Sequence, residues 1–308
     1  MKNRITVVIP VYNTDLGKLE RCVRSIPNHE NVYVSIYDDC STKYIVSDEL
    51  KKILKSNPHL KYLFKKENRV IRFDENKGLG AVRNEAIMDL YNLGLEDSYI
   101  IFLDSDDELT LPNAIIDDIL WSEEEFYSFG INLLSNGTVI NTEYSDKYLS
   151  QMMIPYLVTP IIYKIKPLIE HGILFDESRR IFEDIPFSVK FWSDMIMSHD
   201  DGYWDSIGSY CYRNSIYNYH LDGESLTRSD KKLKMIDDLS YWIDWIKDYY
   251  KLISDKYQSD KLKPYIFNRI RYEAAKLLSM EMEINGDLSK YNKILRLLKP
   301  YHIDDILG

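Results

Sequence analysis

Several features that define specialised classes of protein are missing from this sequence. The chain has 308 residues but only 3 cysteines, which lie far apart and without the spacing of zinc ligands. Neither a disulfide framework nor a zinc site is therefore indicated. No apolar run reaches membrane-spanning length, and the amino terminus enters a strand-like segment with no signal core before it. We expect a cytoplasmic protein without a transmembrane segment, at most peripheral at the inner face of a membrane.

Basic residues are too few to balance the acidic ones. The net charge is -10 at pH 7, from 39 Lys and Arg against 49 Asp and Glu. Residues 229–308 hold 15 basic and 13 acidic residues, so the negative charge belongs to residues 1–228. A surface of this sign repels the phosphates of nucleic acids. We therefore expect no nucleic-acid partner.

Glycine is also sparse, with 12 residues, and the one loop that could suggest a dinucleotide cofactor is incomplete. The stretch "GLGAVR", residues 78–83, lacks the third glycine of a dinucleotide-binding loop and does not follow the first strand. A Rossmann cofactor site is therefore not indicated.

What the first hundred residues do contain is a regular alternation of short apolar runs and helical patterns. Strands are predicted at residues 5–9, 32–37, 70–73 and 99–103. Helices are predicted to start near Asp15, over residues 43–56, and over residues 81–94 with Gly94 as the stop. This βαβα order predicts a parallel sheet with helices on both faces. Later in the chain, Asn136-Gly137 between alternating apolar residues predicts a β-hairpin.

The pattern changes near residue 230, where apolar residues begin to recur at steps of three and four. The spacing predicts about three helices, the last one after Gly286. Their apolar stripe must be covered, either by the main domain or by a second subunit. Both interpretations remain open, and we expect a homo-oligomer formed through these helices.

The most concentrated negative charge follows the most apolar strand, in "IIFLDSDDEL", residues 100–109. The carboxylates of Asp104, Asp106 and Asp107 emerge at the carboxyl end of this strand, where ligands of open α/β sheets bind. Carboxylates this close repel one another and need a cation. The alternative is a solvated acidic turn in which Asp107 or Thr110 caps the next helix.

Five motifs at predicted strand ends together resemble the family 2 glycosyltransferases of the GT-A fold. They are "VVIPVYN" (7–13), "YDDCST" (37–42), "NKGLGAVRN" (76–84), "FLDSDDEL" (102–109) and "FEDIPF" (182–187). The resemblance implies an α/β fold with a Rossmann-like mixed sheet flanked by helices. It implies a catalytic domain over residues 1–228, with a nucleotide-binding half (1–110) and an acceptor half (111–228). Residues 229–308 form a helical C-terminal region that the resemblance does not cover.

In this family the first half binds a nucleotide-sugar, so the resemblance implies a set of donor-binding residues. They are Pro10, Tyr12, Asp39, Asn76, Arg83, Asp104 and Ser105. An aromatic ring at Tyr12 can stack on a pyrimidine, and Arg83 offers a guanidinium to the diphosphate. The resemblance makes Asp39 the acceptor for the N3 hydrogen of uracil, which favours a UDP-sugar. Alternatively, Asp38 and Asp39 are a helix-capping pair.

The "DSD" stretch matches the metal motif of the same family. Asp106 is then the metal ligand, with Asp104 and Asp107 as further candidates, and Asp104 would reach the ribose or a metal-bound water. Mn2+ and Mg2+ both suit a site made of oxygen ligands.

The later motifs resemble the acceptor half of the family. In the "ED" pair, Asp184 takes the place of the general base and Glu183 orients neighbouring groups. The alternative is that both acids simply complement the dipole of the helix that they begin. Arg213, His220 and Arg228 match more loosely the segment that contacts the diphosphate.

The resemblance therefore implies an inverting, metal-dependent glycosyltransferase. Its partners would be a UDP-sugar donor and a hydroxyl of a glycan, wall-polymer or glycoprotein acceptor. Two other functions remain open: a non-catalytic nucleotide-sugar-binding protein, and a nucleotidyltransferase on a similar fold.

Overall fold

The structure is a computed structural model, and it describes residues 3–56, 68–122, 124–198, 211–221, 232–257 and 259–286. The strands in these residues are β1 (Ile5–Val11), β2 (Val32–Asp38), β3 (Arg69–Arg72), β4 (Tyr99–Phe102), β5 (Glu108–Leu109), β6 (Phe126–Ser135), β7 (Thr138–Glu143), β8 (Ile161–Lys164) and β9 (Cys211–His220). The helices are α1 (Leu16–Arg24), α2 (Val46–Ser56), α3 (Leu79–Asn92), α4 (Asn113–Ser122), α5 (Ser145–Ser150), α6 (Ile165–Glu170), α7 (Asp184–Ser198), α8 (Lys232–Tyr257) and α9 (Lys263–Asn285).

These strands form one mixed sheet in the order β3-β2-β1-β4-β8-β6-β9-β5, with β7 paired to β6. The first four strands in that order run parallel to one another. Strand β8 is antiparallel to both β4 and β6, whereas β9 is parallel to β6 and antiparallel to β5. The predicted mixed sheet is confirmed.

The apolar runs that predicted the first strands form the centre of this sheet. Strands β1 and β4 are buried along their whole length, because neighbouring strands and covering helices exclude water from both edges and both faces. Asp15 caps α1 by accepting backbone hydrogen bonds from Gly17 and Lys18. Helix α3 ends just before Gly94, whose φ of 72° is accessible to glycine without strain. These predicted helix limits are confirmed.

The predicted hairpin joins β6 to β7. Asn136 and Gly137 have φ values of 49° and 72°, and they separate the paired residues Ser135 and Thr138. Two consecutive residues at positive φ make the type I′ turn that matches the twist of antiparallel strands. The hairpin prediction is confirmed.

The chain forms two compact units. Unit 1 comprises residues 1–145, 157–177 and 206–222, and contains the sheet; unit 2 comprises residues 146–156, 178–205 and 223–308. The predicted domain boundary at residue 228 lies outside the described residues and stays a prediction.

Unit 2 is built on the two long C-terminal helices. Helix α8 packs against both α7 and α9. The predicted apolar stripes are buried in it, at Ile236, Leu239, Ile243, Ile246, Ile266, Ile270, Ala274 and Leu277. The third predicted helix, after Gly286, lies outside the described residues, and the homo-oligomer stays a prediction. Among the helices that the structure describes, none is long and apolar enough to cross a membrane.

One glycine of β6 is required by close packing. A methyl group at Gly130 would lie 2.4 Å from the Cε1 atom of Tyr144, so we expect Gly130→Ala to lower the free energy of unfolding by about 1–3 kcal/mol. Urea denaturation measures this difference. Asn141→Ala, on the exposed strand β7, is the control and should change stability by less than about 0.5 kcal/mol. Equal stability of parent and Gly130→Ala would contradict the packing argument.

Candidate active site

The carboxyl ends of β1, β2 and β4 lie side by side at one edge of the sheet. The register is parallel, with Val8 beside both Ser35 and Phe102. Backbone hydrogen bonds continue past the strand ends, from Asp39 to Val11 and from Leu103 to Val8. The segments that follow these strands are therefore held together, and they carry most of the predicted donor-binding residues.

Asp39 organises the loop that leads into α3. Its buried carboxylate accepts hydrogen bonds from the side-chain amide of Asn76 at 2.9 Å and from the backbone N–H groups of Lys77 and Gly78 at 2.7 and 2.9 Å. Gly78 has a φ of 92°, which lets the chain turn there without strain. A carboxylate has about four acceptor positions, and this loop occupies three of those of Asp39.

Asp38 has different hydrogen-bond and ion-pair partners from Asp39. One of its oxygens accepts the backbone N–H of Ser41 at 2.8 Å, and the other forms an ion pair with Arg72 at 2.5 Å. Neither partner belongs to a helix, so Asp38 does not act as a helix cap. An open hollow of about 400 Å³ lies beside this pair. It is lined by Arg72, Phe73, Asp74, Glu75 and Lys77.

The loop after β1 holds an exposed aromatic ring. Pro10 is buried in the strand opposite Tyr37, whereas Tyr12 is 51% exposed. Asn13, at a φ of 53°, accepts backbone hydrogen bonds from Thr42 and Lys43 at 2.8 and 2.9 Å. It ties the loops after β1 and β2 together. Asn13 was not among the predicted site residues, although asparagine is one of the residues that most often adopt a positive φ.

Arg83, on α3, contacts the acidic turn that follows β4, residues 104–107. Its buried guanidinium donates a hydrogen bond to Asp104 Oδ1 at 2.7 Å. The same group lies 5.6 Å from the ring centre of Phe102 and 5.2 Å from that of Phe175. The predicted role of Arg83 was a diphosphate contact; the structure gives it an internal partner, the carboxylate of Asp104.

Asp106 is the most accessible carboxylate of the turn. Its side chain is 47% exposed, and the ammonium of Lys18 lies 3.9 Å away. Partial burial, followed by the charge of Asp104, raises the pKa of Asp106. The preceding residue, Ser105, is buried, and its hydroxyl lies 2.6 Å from that of Thr14.

Asp107 points into the protein. Its buried carboxylate accepts hydrogen bonds from the hydroxyl of Tyr217 at 2.9 Å and the backbone N–H of His220 at 2.8 Å. Burial, reinforced by the charge of Asp104, raises the pKa of Asp107 to about 8. The alternative in which Asp107 or Thr110 caps the next helix is wrong, because β5 follows the turn and α4 begins at Asn113.

Strand β9 supplies the inner support of the turn. The hydroxyl of Tyr217 accepts the backbone N–H of Asp104 at 3.0 Å while it donates to Asp107. The ring Nε2 of His220, a predicted diphosphate contact, lies 2.6 Å from Glu108 Oε2. Tyr217 was not among the predicted site residues, because it is one of several tyrosines in its strand and no motif singles it out.

The turn has the chemistry of a divalent-cation site. Asp104 and Asp106 are partly exposed, and carboxylates are the ligands that Mg2+ and Mn2+ prefer. Within the described part of the chain, no group of three or more His, Cys, Asp or Glu residues converges on a metal position. The residues present therefore fit a cation held by one or two carboxylates and completed by oxygens of a ligand.

The "ED" pair belongs to unit 2. Glu183 is buried, and Asp184, partly exposed, is the first residue of α7, so its charge also complements the helix dipole. The residue before the pair, Phe182, has a φ of 60°, which is unusual for a bulky side chain. Two predicted contacts lie outside the described residues, namely Arg228 and the side chain of Arg213.

Comparison with known proteins supports the resemblance found in the sequence. Residues 6–113 match the family described as Glycosyl transferase family 2. Comparison with curated protein sequences returned no significant match. The family resemblance predicted from the motifs is confirmed.

Solved structures share the fold over nearly the whole chain. S. aureus TarS matches with a TM-score of 0.53 and 15% identity, over 98% of this chain and 50% of that chain. TarS 1-349 in complex with UDP-GlcNAc matches with a TM-score of 0.54 and 17% identity, over 98% and 83%. GalNAc-T7 with UDP, GalNAc and Mn2+ matches with a TM-score of 0.50 and 16% identity, over 96% and 54%. The chain spans about half the length of the first of these, and the predicted GT-A fold is confirmed.

The raised pKa of Asp107 predicts a pH dependence of stability. In the unfolded chain an aspartate ionises near pH 3.9, whereas burial in the folded protein raises the pKa of Asp107 to about 8. Its contribution is therefore complete below about pH 4 and is lost as the pH rises to about 8. We expect Asp107→Asn, which does not titrate, to gain stability relative to the parent over this range. Urea denaturation in chelator from pH 5 to 9 measures the difference; a difference that is constant with pH would contradict the assignment.

Proposed function

We propose that this chain, whose residues 6–113 match glycosyl transferase family 2, is an inverting, metal-dependent glycosyltransferase. It moves a hexosyl or N-acetylhexosaminyl group from a UDP-sugar to a hydroxyl of a glycan, wall polymer or glycoprotein. The observation that carries the proposal is the acidic turn after β4. Asp104 is held there by the buried Arg83 and Asp106 is left accessible, at the same sheet edge as Asp39.

The contacts around Asp39 support a uridine donor. Three of its acceptor positions fix the loop at residues 76–78, and the remaining one can accept the N3 hydrogen of uracil, which cytosine lacks. The half-exposed ring of Tyr12 offers a stacking surface. The neighbours with bound UDP-GlcNAc and with bound UDP have the same fold, which is consistent with this choice.

Asp106 is the proposed protein ligand of Mn2+ or Mg2+, with Asp104 as the second candidate. Asp107 is less suited, because both its oxygens already accept hydrogen bonds from β9. A bound cation would offset the negative charge that develops on the departing diphosphate.

Asp184 is the proposed general base. Inversion requires an acceptor hydroxyl to attack the anomeric carbon from the face opposite UDP. The new carbon–oxygen bond forms as the bond to UDP breaks, and the electron pair of that bond leaves with UDP. The hydroxyl proton passes to a carboxylate, and a positioned base of this kind contributes about 10² to 10⁴ in rate. Asp184 is partly exposed, whereas Glu183 is buried beside it, which supports Asp184 as the residue that meets the acceptor.

A row of polar side chains in unit 1 supports a polyhydroxylated acceptor. Thr142 donates to Asn132 at 2.8 Å, and Asn132 donates to Asn218 at 2.9 Å. Asn218 is paired in register with Glu108 of β5, two residues past Asp106. All four side chains are partly exposed. With about 4.8 Å between strands, the row extends about 14 Å and offers amide and hydroxyl groups to sugar hydroxyls.

The central test replaces the proposed base. Asp184→Asn keeps the shape of the side chain but cannot accept a proton, so release of UDP from UDP-GlcNAc should fall about 10²-fold or more. The affinity for UDP in the presence of Mn2+, measured by calorimetry, should stay near that of the parent. Asp244→Asn, an exposed substitution on α8, is the control and should keep the parent rate.

If Asp184→Asn retained more than about a tenth of the parent rate, another residue would be the base. A parent protein that binds UDP-GlcNAc but never releases UDP, with sugar acceptors or with water, would favour the non-catalytic binding protein instead.

A second test addresses the metal. Asp106→Asn should remove most of the Mn2+-dependent gain in UDP affinity, because the cation joins the carboxylate to the diphosphate. Asp107→Asn should have a smaller effect, since that side chain is directed at β9. Calorimetric titration of UDP with Mn2+ or with chelator measures both effects. Asp97→Asn, at an exposed position, is the control and should keep the parent affinity. Equal UDP affinity of the parent with Mn2+ and in chelator would rule out the metal-dependent mechanism.

A further inference from the structure

The segment before the "ED" pair is held by the two C-terminal helices. Residues 179–184, α8 and α9 all belong to unit 2. Three separate contacts tie this short segment to the helices, and each contact is made by a different kind of interaction. The sequence left residues 229–308 without a role, so these contacts are the first indication of one.

The strongest contact is an ion pair between Arg179 and Asp238. The guanidinium of Arg179 donates to Asp238 Oδ1 and lies 4.2 Å from the ring centre of Tyr241 on the same helix. Asp238 is only 1% exposed. A buried carboxylate is costly unless it is paired, so Asp238 strongly favours the position of Arg179 that the structure shows.

Two further contacts fix the next residues. The indole N–H of Trp242, one turn after Asp238, donates to the carbonyl of Ile181 at 3.4 Å. From α9, the ammonium of Lys276 lies 4.1 Å from the ring centre of Phe182. The backbone carbonyl of Ile181 and the side chain of Phe182 are therefore held from two helices.

Phe182 is the residue that needs this support. Its φ of 60° places a bulky residue in the left-handed region, a conformation that persists only where the surroundings enforce it. The carbonyl of Phe182 then accepts the backbone N–H of Ile185 at 3.1 Å, inside the first turn of α7. Phe182 therefore stands just before the start of α7 and is hydrogen-bonded to its first turn, two residues from Asp184.

We propose that Asp238 and Arg179 are positioning residues for Asp184, and that α8 is the element that sets the orientation of the general base. This inference rests on the proposed function of Asp184. Arg179 and Asp238 are assigned no contact with either substrate. They act by holding residues 179–182, so that α7 presents Asp184 in one orientation. If Asp184 were misoriented, the rate of transfer would fall while the affinity for the donor stayed the same.

The first experiment measures the positioning directly. Asp238→Asn keeps the volume of the side chain but removes the charge that holds Arg179. Hydrogen exchange of the peptide that spans residues 179–186, including the amide of Ile185, should become about tenfold faster. The matched control is Glu273→Gln, since Glu273 forms a buried ion pair with Arg269, and Arg269 donates to the carbonyls of Ile154 and Pro155. This control should leave exchange in residues 179–186 unchanged.

Unchanged exchange over residues 179–186 in a folded Asp238→Asn protein would overturn the proposal. So would equal acceleration in both variants, because it would indicate general loosening of unit 2. This measurement needs no substrate and therefore decides the positioning even if the proposed function is wrong.

The second experiment separates rate from binding. With UDP-GlcNAc and Mn2+ as the probe and water as the acceptor, Asp238→Asn should lower kcat by about tenfold to a hundredfold and leave the calorimetric affinity for UDP unchanged. Arg179→Lys should restore part of the rate that Arg179→Gln loses. In the Asp184→Asn background, Asp238→Asn should cause no further loss, because the residue through which it acts is already absent.

A full additional loss in the double variant would show that Asp238 acts independently of Asp184 and would overturn the positioning role. A normal rate in Asp238→Asn, with Asp184→Asn inactive, would also overturn it and leave the proposed function intact. A normal rate in Asp184→Asn itself would instead overturn the proposed role of Asp184 as the general base.

Discussion

Like charges at the end of β4 set the main constraint on this protein. Three carboxylates within four residues repel one another, and each is accommodated differently. Asp104 is paired with the buried Arg83, Asp106 stays partly in solvent near Lys18, and Asp107 is buried with a raised pKa. Because Arg83 offsets the charge of Asp104 and burial raises the pKa of Asp107, Asp106 can remain accessible for an external cation.

Much of the surrounding structure follows from that arrangement. Arg83 lies on α3, whose N-cap Gly78 donates its backbone N–H to Asp39, so the residue after β2 helps to position the cation that pairs with Asp104 after β4. Asp107 likewise accepts its hydrogen bonds from β9, which belongs to the last chain segment of unit 1. The acidic turn therefore links the parallel half of the sheet to its mixed half.

The sequence predicted the parts of the fold that local pattern controls. Apolar runs identified β1 and β4, and an Asn-Gly pair identified the hairpin, because burial and turn geometry are specified by neighbouring residues. The partners of the site residues were harder to predict. The pairing of Arg83 with Asp104 joins residues from different elements, and the conformation of Phe182 is one that its residue type disfavours. Both depend on tertiary contacts that no local pattern encodes.

Tyr217 has a consequence for the order in which the protein is made. Its hydroxyl joins Asp104 and Asp107 across more than a hundred residues of chain, so a ribosome-bound chain that ends before β9 lacks the inner support of the turn. The parallel strands β1 to β4 all lie within the first 103 residues, so their pairing with one another needs no later part of the chain. The acidic turn, in contrast, can gain its contacts with Tyr217 only after β9, in the last chain segment of unit 1, has been synthesised.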